Sequence, residues 1–151
     1  MWPVRAKVAV GTIAVGLMVG IGVLVRLQHE RLRHPEGRWT LDTASKELLH
    51  DRGYGPVTSS INLRPAGAFS GEGLPDWLWA MDPGGMTHSC EGEWKVLEGG
   101  RTILLLPAPA SGCPYVGISV RHSGFGGERL WRWLGDPDAG VRLVYRRNVD
   151  Q

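Results

Sequence analysis

Residues 91–106, EGEWKVLEGGRTILLL, decide how the rest of the chain is read. Charged and apolar side chains alternate as far as Val96, an apolar run opens after Arg101, and Glu98-Gly99-Gly100 lies between them. A period of two marks a strand with one wet and one dry face, and glycine supplies the positive φ that a tight reversal needs. The segment therefore predicts a β-hairpin over residues 91–97 and 101–106. Downstream, residues 115–121, 129–134 and 141–147 read as strands. The last two flank Gly135-Asp136-Pro137-Asp138-Ala139-Gly140, where aspartate, proline and glycine each favour a turn for a separate backbone reason. Upstream, short strands are expected at 39–41, 61–63 and 68–70, with Arg64-Pro65-Ala66-Gly67 turning between the second and third. One stretch is helical instead: Asp42 or Thr43 caps a helix running through Ala44, Leu48 and Leu49 to a stop at Gly53.

About eight short strands joined in order by hairpin-like connections close best as a small barrel, because closure removes the edges that a lone meander would expose. The expected fold of residues 37–151 is mainly β: a small antiparallel β-barrel or curled meander with one early helix. Residues 74–85, LPDWLWAMDPGG, lack alternation and are bounded by prolines, so they read as a loop or a single helical turn covering one opening of the domain.

The chain has 151 residues, 17 Lys and Arg, 15 Asp and Glu, 22 glycines and 10 prolines, a composition that suits one modest domain with something attached and excludes a multidomain enzyme. What is attached is VAVGTIAVGLMVGIGVLV, residues 8–25, with no charged side chain. As a helix it would reach roughly 27 Å, close to the thickness of a hydrocarbon core. A cleaved signal peptide has a shorter apolar core and a small-x-small site, whereas this run ends Val23, Leu24, Val25, Arg26, so an uncleaved signal anchor is the favoured reading. The expected organisation is a transmembrane signal anchor over 1–27, a polar stalk over 28–36 and the β domain over 37–151. Gly16 and Gly20 form a small-xxx-small pair that would let two such helices approach, a possible weak dimer contact. Basic residues flank the run on both sides. The short amino-terminal flank and the cysteine pair favour the amino terminus inside and the domain outside a plasma membrane crossed once.

Residues 1–34 carry Arg5, Lys7, Arg26, Arg31 and Arg33 against Glu30, so the overall charge of +2 belongs to the membrane flanks and the domain is mildly acidic. That leaves no case for nucleic-acid binding, which would need a basic stripe on the folded face. Cys90 and Cys113 are the only cysteines and lie on either side of the hairpin. An even pair in an extracytoplasmic domain is read first as a structural disulfide, worth about 3 kcal/mol. His88-Ser89-Cys90 invites a thiol–imidazole reading, but neighbouring residues on a strand point to opposite faces and Cys90 has a better use in the bridge. Two cysteines without paired histidines do not fill a zinc shell, and Asp136 and Asp138 supply too few oxygens for calcium, so neither metal nor cofactor is expected. No Ser-His-Asp arrangement, phosphate-cradling loop or nucleotide fingerprint is present in the sequence.

Gly-x-Trp occurs twice, as Gly37-Arg38-Trp39 and Gly92-Glu93-Trp94, and each is expected to open a strand whose tryptophan points inward. The first, together with the arginine-bearing end Val141-Arg142-Leu143-Val144-Tyr145-Arg146-Arg147, resembles the calycin pattern of lipocalin-like barrels. There a first-strand tryptophan is covered by an arginine of the final strand. The resemblance implies barrel closure by Arg146 or Arg147 stacked on Trp39, a cation–π contact of about 0.5–2 kcal/mol. The early helix departs from that pattern, in which the helix follows the last strand. A looser likeness, in the Gly-x-Trp opening and the turn from Gly135 to Asp138, is to small membrane-anchored domains of high-GC bacteria and implies no activity.

Six of the 7 tryptophans fall in the domain. Trp77 and Trp79, with Met81 and Met86 beside them, are the candidate ligand-binding residues. Trp131 and Trp133 share one face of a strand and are either core or an exposed anchor. The expectation is a membrane-anchored, non-enzymatic binding or interaction module of the cell envelope that takes an apolar small molecule or a peptide near residues 74–86. The alternative is a membrane-tethered protein inhibitor or immunity-type partner that uses the barrel only as scaffold.

Overall fold

A computed structural model describes residues 34–80, 83–97, 100–123 and 127–148, with residues 121–123 placed by their backbone. The transmembrane reading of residues 8–25, Gly16, Gly20 and Met81 all lie outside the described residues. Among the described residues, no helix is long and apolar enough to cross a membrane.

Eight strands, β1 (Gly37–Leu41), β2 (Ser60–Leu63), β3 (Ala68–Pro75), β4 (Thr87–Val96), β5 (Thr102–Pro107), β6 (Val116–Ser123), β7 (Gly127–Trp133) and β8 (Arg142–Arg147), pair in sequence order. Every pairing is antiparallel, and β8 returns to pair with β1, which closes the barrel. Helix α1 (Thr43–Asp51) fills the β1–β2 connection. Asp42 caps it by accepting from the Ser45 backbone N–H at 2.9 Å.

The register turns strand alternation into one dry interior. Trp39, Ile61, Gly71 and Cys90 face one another across β1 to β4, as do Trp94, Leu105 and Val116 across β4 to β6 and Val120, Leu130 and Tyr145 across β6 to β8. Trp39, Ile61, Leu143 and Leu49 are wholly buried, and Leu49 brings the helix into the same core. An antiparallel meander alternates ends. Helix α1 and the β3–β4, β5–β6 and β7–β8 connections therefore lie at one end, and residue 34 with the remaining connections at the other.

Strand β3 is longer than the expected 68–70, because a register shift between Gly71 and Leu74 absorbs Gly73 and lets Leu74 and Pro75 pair with His88 and Thr87. The second Gly-x-Trp lies within β4 and does not open it. Gly92 is needed there for close approach: a Cβ would sit 2.2 Å from the Leu106 carbonyl oxygen. The hairpin turn at Gly100 has φ 67°, the positive value its sequence anticipates. Of the stalk residues, 34–36 are described, and Pro35 is buried beneath the barrel.

Candidate functional site

The end of the barrel bearing residue 34 is closed by charge and aromatic contact together. The Arg147 guanidinium lies 4.9 Å from the Trp39 ring centroid, and its Nη1 is 3.1 Å from a Glu128 carboxylate oxygen. The Trp39 indole N–H donates to the Pro35 carbonyl at 3.0 Å, and Arg147 donates to the carbonyl of His34. Alternation explains which arginine does this. Residue 147 is opposite Trp39 and shares its inward face, whereas Arg146 is opposite Thr40, points outward and meets Asp42 at 3.5 Å.

The opposite end holds the tryptophans that the sequence offered as ligand-binding. Trp77 is not free to serve: it is 7% exposed, stacked on Tyr54 with centroids 6.1 Å apart and covered by the Arg52 guanidinium at 4.3 Å. Trp79 packs edge-on against His88 at 5.4 Å, and Met86 is 59% exposed. What shapes this loop is a buried carboxylate. Asp76, 5% exposed, accepts from the backbone N–H groups of Gly84 at 2.7 Å and Met86 at 3.3 Å and from the Tyr54 hydroxyl. A buried carboxylate is tolerable when its lone pairs are met by this many donors. Burial, reinforced by the hydrogen bond to Asp76 and its charge, pushes the Tyr54 hydroxyl well above its ordinary value.

Next to this loop, a groove of about 390 Å³ runs between α1 and residues 55–58, lined by Lys46, Glu47, His50, Asp51, Pro56 and Val57 among others. Cys90 and Cys113 are joined in a disulfide with Cα atoms 6.2 Å apart, which ties the β5–β6 connection to β4. His88 and Cys90 are two apart on β4 and share the inward face, so the expected separation onto opposite faces does not apply to them. The bridge is what removes the thiol. Among the described residues, the inward side chains between the ends meet in one buried cluster. Tyr145, 1% exposed, reaches Ser59 at 2.9 Å, and burial raises its hydroxyl pKa strongly.

On the outer wall the register of β6, β7 and β8 lays out three rows. Arg121, Arg129 and Arg146 occupy facing positions in the row nearest residue 34, Ser119, Trp131 and Val144 form the next, and Trp133 faces Arg142 in the third. Trp131 and Trp133 meet edge to face at 4.9 Å, with Arg142 5.9 Å above Trp131. The core reading of this pair does not hold: Leu130 and Leu134 take the inward positions, and the two tryptophans lie half-buried on the outer face, outside the core cluster. Arg132 turns inward, donates to the Gly117 carbonyl at 2.8 Å, and has its pKa lowered by burial. Among the described residues, no group of three or more His, Cys, Asp or Glu side chains is gathered as a metal site would require.

Comparison of the chain with protein-family models, curated proteins and solved structures finds no match.

Proposed function

We propose that this chain is a membrane-anchored, non-enzymatic interaction module of the cell envelope, in which a calycin-type barrel serves as scaffold and a protein or peptide partner binds at the end remote from residue 34. The observation that carries this reading is the filled interior. Ile61, Leu63, Phe69, Ile103, Leu105 and Ile118 are each at most 2% exposed and meet in one cluster with Trp39 and Tyr145, leaving their volume to side chains and not to a ligand. A small eight-stranded barrel is either packed or hollow, and a packed one binds on its surface or its loops. Of the described residues first singled out for binding, Met86 is the exposed one, while Trp79 is half-buried against His88 and the core. The adjacent groove along α1 adds a mixed polar and apolar lining of the kind a peptide meets.

The test is a photo-crosslinker placed at residue 86 of the full chain in its native envelope, with residue 72 on the outer face of β3 as control. A discrete adduct of one protein from position 86, absent from position 72, is the expected result. No adduct, or the same spread of adducts from both positions, overturns the reading. Native purification followed by mass spectrometry tests the carrier reading: a stoichiometric apolar molecule would replace the scaffold reading with that of a carrier.

A further inference from the structure

The two sides of the barrel differ in charge. In a closed order of eight strands β4 lies across the barrel from β8. Strand β4 presents the exposed Glu91, Glu93 and Lys95, a net negative row, whereas the outward positions of β7 and β8 are Arg129, Trp131, Trp133, Arg142, the buried Val144 and Arg146, with no acidic side chain among them. Arg129 stands directly opposite Arg146 on one side and opposite the position of Arg121 on the other. Like charges so placed destabilise a sheet. Among the described residues, Arg146 alone of Arg129, Arg142 and Arg146 has a carboxylate partner, Asp42. The Nε of Arg129 and the indole Nε1 of Trp131 are shielded from solvent and have no acceptor among the described residues.

We infer that this face rests on the anionic phosphates of a bilayer surface. The inference depends on the reading of residues 8–25 as the membrane anchor, and the chain itself argues for this occupant. Residue 34 sits at the end of the barrel where the arginine row lies, bound through Arg147, the neighbour of Arg146. Residues 26–33 alone separate it from the uncharged apolar run. Eight residues span about 12 Å as a helix and at most about 29 Å fully extended, so the row cannot travel far from the headgroups. Arginine provides planar donors for phosphate, and tryptophan is favoured at the boundary between headgroup and acyl chain. A single apolar anchor leaves the domain free to swivel, and a basic, aromatic face against anionic lipid fixes its orientation.

The full chain is reconstituted into vesicles of phosphatidylcholine alone and of phosphatidylcholine with phosphatidylglycerol, each carrying bromine-labelled acyl chains that quench nearby indoles. Trp131→Phe/Trp133→Phe serves as the blank. Quenching from these two tryptophans is expected only with phosphatidylglycerol. It should weaken as salt is added, and the docking equilibrium read from it should fall by at least roughly 25-fold in Arg129→Glu/Arg142→Glu, about fivefold for each arginine charge removed and more for its reversal. Arg129→Gln/Arg142→Gln serves if the charge reversal disturbs folding, which circular dichroism checks. Equal quenching in both lipids, or quenching indifferent to either arginine pair, overturns the inference. Retention on vesicles after an alkaline wash separately tests the anchor. If retention fails but unwashed, salt-sensitive association with phosphatidylglycerol still depends on the arginines, the docking face stands and the anchor falls. Loss of a co-purifying acidic protein on charge reversal, with no change in lipid quenching, assigns the face to that protein and overturns the lipid reading.

Discussion

Gly92 and Asp76 show how much of this fold rests on single positions whose importance comes from distant neighbours. A methyl group at residue 92 meets the Leu106 carbonyl oxygen at 2.2 Å and the Pro107 Cα at 2.8 Å, both backbone atoms that cannot rotate away. Gly92→Ala is therefore expected to destabilise the domain by about 2–3 kcal/mol, read as a lowered urea midpoint with an unchanged slope. Asp76→Ala removes one acceptor from three donors at once, the N–H groups of Gly84 and Met86 and the Tyr54 hydroxyl. A loss of about 2–4 kcal/mol is expected, with faster amide exchange confined first to residues 76–80 and 83–86. Asp76→Asn should recover part of it, since an amide oxygen still accepts. The tyrosines set a pH limit. Tyr54 and Tyr145 both have hydroxyl pKa values raised in the fold above the ordinary value of about 10, chiefly by burial, so the folded state holds their protons more firmly than the unfolded chain. On their account stability is constant below about pH 10 and falls as pH rises above it, and chemical denaturation at pH 8 and at about pH 11 checks the sign. Tyr145→Phe should flatten that fall.

Among the elements, the strands were legible in sequence to within a few residues, because a barrel wall with one wet and one dry face imposes a period of two wherever it runs. Helix α1 was legible for a related local reason: Asp42 caps it within its own turn. The single turn at residues 76–78 falls within the stretch read as a loop or one helical turn, whereas the long β3 was not legible, because it depends on a register shift against β4. The disulfide joins β4 to the β5–β6 connection across a sequence separation of 23. Opening it with Cys90→Ala/Cys113→Ala is expected to cost about 3 kcal/mol, visible as a fall in Tm, while near-ultraviolet circular dichroism keeps the sign and shape of a packed aromatic core.

For the whole molecule, closure is the decisive event, and it falls to β1 and β8, the two ends of the domain. Trp39 and Arg147 must come together across the full length of the fold before the barrel has no edge. Arg147→Ala removes the cation above Trp39, the partner of Glu128 and a donor to residue 34. It is expected to cost about 2–4 kcal/mol, more than Arg146→Ala, which loses only an outward ion pair worth less than about 1 kcal/mol. Comparing the two variants by thermal unfolding separates closure from a general loss of positive charge.

Local chemistry was enough to specify an eight-stranded, antiparallel β domain with an early helix, since alternation, capping and turn residues act over a few positions and leave their record there. It was also enough to narrow the floor contact to Trp39 with one of two arginines. Which arginine turns inward depends on the register of β8 against β1, and register is a property of two strands. The packing of the interior, the withdrawal of Trp77 beneath Arg52 and Tyr54, and the gathering of Arg129, Arg142, Trp131 and Trp133 on one wall depend on strands brought side by side. Alternation along β7 already aligns Arg129, Trp131 and Trp133, but what joins Arg142 to them, fills the interior and covers Trp77 exists only after separate segments have met.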